Sequence, residues 1–79
     1  MNKPAKPFRI IIMSHDEHEE LIASIECEGQ GVAVICQDLG PDRLEIFLFP
    51  RSDGMPWRFD FSDLQAAITD AKGKLLQDK

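Results

Sequence analysis

The chain has 79 residues, 43% of them hydrophobic and 29% charged. That length makes one domain, and that balance excludes intrinsic disorder. The formal net charge of −5 argues against direct nucleic-acid binding, which uses basic stripes to meet phosphates.

Residues 1–7, MNKPAKP, carry Lys3 and Lys6 with Pro4 and Pro7. They read as a flexible N-terminal arm ahead of a single domain over 8–79, because proline interrupts regular hydrogen bonding. No apolar stretch precedes Ile10, so no secretory leader is expected. The run Ile10–Met13 is far too short to cross a membrane. These features set the expectation of a cytoplasmic protein with reduced thiols.

FRIIIM, 8–13, is an apolar β-branched run and reads as a strand. SHDEHEELIASIECEG, 14–29, admits two readings. Ser14 and Glu17 have capping-box spacing, Leu21, Ile22 and Ile25 have helical spacing, and Gly29 would end a helix. The same segment alternates Leu21, Ala23, Ile25, Cys27 against Ile22, Ser24, Glu26, Glu28, which is strand periodicity. Glu26 and Glu28 would also oppose the dipole at a helix C-terminus. The strand reading, over about 20–28, is preferred, with 14–19 as a charged turn before it. The alternative is a βαββα order with a helix at about 15–27.

EGQG, 28–31, supplies glycines for a tight turn into VAVICQ, 32–37, a strand by composition. DLGPD, 38–42, is a second turn. RLEIFLFP, 43–50, is apolar on both faces toward its end and reads as a central strand that Pro50 stops. RSDGMP, 51–56, is a loop, and WRFDF, 57–61, alternates like a short strand. SDLQ, 62–65, has capping-box spacing. Leu64, Ala67, Ile68, Ala71 and Leu75 then mark one helical face, with fraying expected after Gly73. The fold class is α+β: a small antiparallel β-meander of four to five strands with one C-terminal helix packed on one face.

Several constellations bear on chemistry. His15 and His18 are three apart, beside Asp16, Glu17 and Glu19, and two imidazoles with a carboxylate can hold zinc or nickel. They are weak candidates, because no HExxH motif and no second Cys/His group completes a site. Cys27 and Cys36 flank the EGQG turn and are expected as two reduced thiols, near enough across a hairpin to raise the question of a disulfide. Cys27 lies between Glu26 and Glu28, which opposes the thiolate a nucleophile needs. No serine is framed as a triad nucleophile and no phosphate loop is present. The sequence therefore predicts no enzyme and no cofactor.

A small, acidic chain without visible chemistry fits a protein that acts by binding another protein. The block from Asp16 to Glu28 holds six acids and no Lys or Arg, a surface suited to a basic partner. Asp16, Glu17, Glu19 and Glu20 are one set of candidate contacts. Arg51, Trp57 and Arg58, around the 51–56 loop, are another. An antitoxin, an immunity protein or an inhibitor is the most specific form of this expectation. The alternative is a homo-oligomeric structural module, a homodimer joined through an unpaired sheet edge. A metal-binding protein using His15 and His18 is the third.

Overall fold

The computed structural model describes residues 8–16 and 18–77. The expected flexible arm at 1–7 lies outside the described residues. So does Glu17, and with it the Ser14–Glu17 cap.

Four strands, β1 (Phe8–Met13), β2 (Ile22–Cys27), β3 (Gln30–Cys36) and β4 (Glu45–Leu48), form one antiparallel sheet in the order β1-β2-β3-β4. One helix among the described residues, α1 (Phe61–Gln77), follows and packs against β1 and β2. The α+β meander with one helix on one face is the architecture that the alternating patterns imply.

The 22–27 segment is a strand, not the helix of the alternative reading. Ala23, Ile25 and Cys27 are buried and belong to the core under α1, while Ser24 and Glu26 turn the other way and stay half-buried. The hairpin to β3 closes through two residues, Glu28 and Gly29, both at positive φ, 55° and 78°. That is the backbone of a type I′ turn, the hand that matches strand twist. The turn is thus tighter than the four residues expected.

A bulge follows at once. Glu26 opposes Gly31 while Ile25 opposes Ala33, so Val32 is the extra residue. Val32 and Ala33 are both buried in the core, as a bulge that turns consecutive side chains to one side allows.

Three expectations fail in informative ways. β4 is an edge strand rather than a central one. Its apolar residues stay open on both faces, with Ile46, Phe47 and Leu48 exposed to 42%, 45% and 73%. WRFDF is not a strand, since 55–60 make no ladder. Its alternation marks extended chain with one packed face. Trp57 stacks on Phe59 at 5.2 Å, and Phe59 meets Phe8 edge-on at 4.8 Å. Phe61, the third of that set, is 76% exposed.

The third failure is the fraying after Gly73. α1 continues to Gln77, and Leu75 is fully buried. Gly73 sits on the open side, where a Cβ would meet nothing, so burial of the neighbouring stripe outweighs its low propensity. The start of α1 also differs. Asp60 caps it, its carboxylate accepting from the Asp63 amide at 3.2 Å and its carbonyl from the Leu64 amide at 3.1 Å. Asp63 lies in the first turn and Lys74 in the last, as the helix dipole favours.

Candidate functional site

In a meander, alternate connections fall at the same end of the sheet. The 14–21 loop leaves β1 and the 37–44 turn leaves β3, so the two are neighbours. Two contacts fix them together, and a third shapes the loop. His18 Nδ1 lies 2.7 Å from Asp38 Oδ2. Gln37 Nε2 donates to the Leu21 carbonyl at 3.2 Å. Within the loop, the His18 amide donates to the His15 carbonyl at 3.0 Å. Gly40, at φ 101°, turns the other segment back toward β4, with its own amide donating to the Gln37 carbonyl at 3.0 Å.

These ties lay the loop over the sheet face that α1 leaves open. His18 stands 6.5 Å from the Phe47 ring and 5.9 Å from the His15 ring. Beneath them runs a groove of about 480 Å³, walled by Ile22, Val34, Phe47, Leu48 and Phe49 with both histidines. Asp16, Glu19 and Glu20 are exposed neighbours of those histidines. The groove therefore has an apolar floor, and the loop beside it carries three exposed acids.

At the same end, Cys36 is fully buried. Its Sγ lies 3.9 Å from Oε1 of Glu45, its partner across the β3–β4 ladder. Ligand atoms of His18, Cys36 and Asp38 all lie within 4.8 Å of one another. Burial pushes the Cys36 thiol above its ordinary pKa, and the Asp38 and Glu45 carboxylates add to this against the Asp38 backbone amide. A Cys, a His and an Asp in one place have the composition of a nucleophilic triad. A buried thiol held in its neutral form has the opposite properties from an activated nucleophile.

The second set of expected contacts lies at the other end of the sheet. Ser52 donates its amide to Gln30 Oε1 at 3.0 Å, which ties the 51–56 loop to the start of β3. Arg51 is paired with Asp53 at 2.9 Å and lies 5.4 Å from the centre of the Trp57 ring. Trp57 is half-buried against the core, and its indole N–H donates to the Phe49 carbonyl at 3.0 Å. Arg58 is exposed. Six residues of strand, about 20 Å, separate this group from Asp16, Glu19 and Glu20. The two sets do not form one surface.

The cysteines also part. Cys27 sits beside the hairpin turn on the helix side, while Cys36 sits at the far end of β3. Both are free and buried. Burial and the Glu28 carboxylate raise the Cys27 pKa, partly offset by Arg51.

The fold and groove together define a small α+β domain with one open, partly apolar sheet face. No protein-family model, curated protein or solved structure matches the chain. Among the described residues, no helix is long and apolar enough to cross a membrane.

Proposed function

We propose that this protein acts without catalysis, by docking another protein on its open sheet face. The observation that carries the reading is the groove between the 14–21 loop and β4, with an apolar floor at Val34 and Phe47 and, on that loop, exposed Asp16, Glu19 and Glu20. Its complement is a partner segment with apolar side chains bracketed by Lys or Arg. Apolar contact supplies the affinity, and the charged loop steers and selects. The chain-wide charge of −5 favours the same basic partner over nucleic acid. An antitoxin, an immunity protein or an inhibitor, working in the cytoplasm, is the specific form of this proposal.

The test is capture of a stoichiometric partner by the tagged protein and three variants. Phe47→Ser, and the combined change of Asp16, Glu19 and Glu20 to Lys, abolish capture. So does high salt, through screening. Arg58→Glu, at the other end of the sheet, leaves it intact. A partner that both groove variants retain refutes the reading.

A second reading rests on the β4 edge itself. β4 pairs with β3 on one side only, and its residues are exposed on both faces, the condition for strand pairing with a second copy. A monomer by light scattering at concentrations well above micromolar refutes a homodimer.

A further inference from the structure

We propose that His18, Cys36 and Asp38 form a binding site for one divalent transition metal of borderline softness, zinc by preference. The proposal goes beyond the docking reading and does not depend on it. The donor set is one imidazole nitrogen, one sulfur and one carboxylate oxygen, all within 4.8 Å of one another. Ligand atoms around tetrahedral zinc sit about 3.3–3.8 Å apart, given bonds of about 2.0–2.3 Å. Closing the difference takes a contraction of about 1 Å, within the reach of the His18 and Asp38 side chains on their two loops.

Three further features favour a cation here. First, two carboxylates stand beside the Cys36 sulfur: Asp38, within the 4.8 Å cluster, and Glu45, with Oε1 at 3.9 Å. Carboxylates gathered at one sulfur and one imidazole are the charge balance a divalent cation requires. Second, the ligands stand on a fixed frame. Cys36 ends β3, and the Gln37–Leu21 hydrogen bond anchors the 14–21 loop to the chain between Cys36 and Asp38. Third, Asp38 is exposed and His18 partly so, which leaves an approach from solvent and a coordination position for water. The His18–Asp38 hydrogen bond holds the two side chains together while no metal is bound, and either can turn its second donor atom to the ion. Glu45, 3.9 Å from the sulfur, is placed to join or to orient the set.

The chemistry differs from that of a histidine pair. His15 touches His18 by its ring and is not among the clustered donors. A thiolate in the set selects zinc, cobalt or copper over magnesium and calcium.

The test is titration of the full-length protein with cobalt(II) under reducing conditions, followed by zinc competition. The expected result is one cobalt per chain, with thiolate-to-cobalt charge transfer in the near-ultraviolet and visible bands of tetrahedral intensity, all displaced by zinc. Cys36→Ser abolishes the charge-transfer band. His18→Ala and Asp38→Asn weaken binding by about 100-fold or more, since even an outer-shell change costs about 10–100-fold. Cys27→Ser leaves the spectrum unchanged. Circular dichroism identifies any variant that fails to fold, and the two loop variants keep the test decisive if Cys36→Ser is one. No band in the wild type at large cobalt excess overturns the proposal, as does a band that survives Cys36→Ser and is lost in Cys27→Ser. Binding that neither His18→Ala nor Asp38→Asn weakens overturns it equally.

Discussion

Replacing Leu75 with alanine tests the helix–sheet contact at its least expected point. Leu75 lies two residues beyond Gly73, where the sequence predicts fraying, yet it is fully buried. It is also the one large side chain that α1 buries completely, since its other buried residues are Ala67 and Ala71. The change removes three carbons. At about 0.8 kcal/mol per buried methylene, with a modest cavity left behind, the loss is about 3 kcal/mol. A domain of this size holds about 4–12 kcal/mol in all, so the variant stays folded but sits close to its limit. Urea unfolding, followed by circular dichroism and by the single tryptophan, gives the number directly. The midpoint falls, the slope against urea stays the same, and the melting temperature drops by about 12–24 °C. A loss below about 1 kcal/mol would mean that the last turn of α1 is undocked, and the packing argument would be wrong.

Gly73→Ala adds about 1 kcal/mol by the same assay, because the site is helical and a Cβ there meets nothing. Glu28→Asn stabilises by about 0.5–1 kcal/mol, since Glu28 is a non-glycine residue at φ 55° and asparagine tolerates that region better. Cys27 carries a pH dependence of stability. Burial raises its thiol pKa in the folded chain, so the folded state binds that proton more tightly than the unfolded one. The contribution is complete below about pH 8.5, the ordinary thiol value, and is lost as pH rises through the higher folded value. Urea midpoints measured in the presence of a chelator therefore fall above about pH 8.5, and fall less in Cys27→Ala. Equal falls in both proteins would contradict it.

The strands and the helix were legible where the signal is local. FRIIIM, the alternation through Ile25 and the stripe from Leu64 to Leu75 each state their own geometry. β4 was misread because composition reports how apolar a strand is and not what covers it. The helix covers β1 and β2, so Ile46 and Leu48, which carry the same pattern as core residues, remain exposed. Trp57 and Phe59 show the same ambiguity, since extended chain packed on a core alternates as a strand does.

The candidate site was half legible. His18 stood out beside His15, while the residues clustered with it, Cys36 and Asp38, come from the end of β3 and the turn after it. One signal pointed to them. In a meander the connections after the first and third strands share an end, and residues 36 and 38 are two apart at the close of β3. Combining topology with that spacing would have brought all three together.

The element that seals the first two strands is the last of the five to be synthesised. β1 and β2 can pair by themselves on a microsecond scale, and so can β3 with either neighbour. Until Ala71 and Leu75 exist, however, the core around Ala23 and Ile25 lacks the two residues of α1 buried within it. A nascent sheet of this design spends most of its synthesis with one greasy face uncovered and waits on a contact across nearly the whole length of the domain, the kind that slows folding. Translation stopped anywhere before Leu75 yields a chain that makes its hairpins and still cannot close, a substrate for chaperones and proteases rather than a shorter version of the protein.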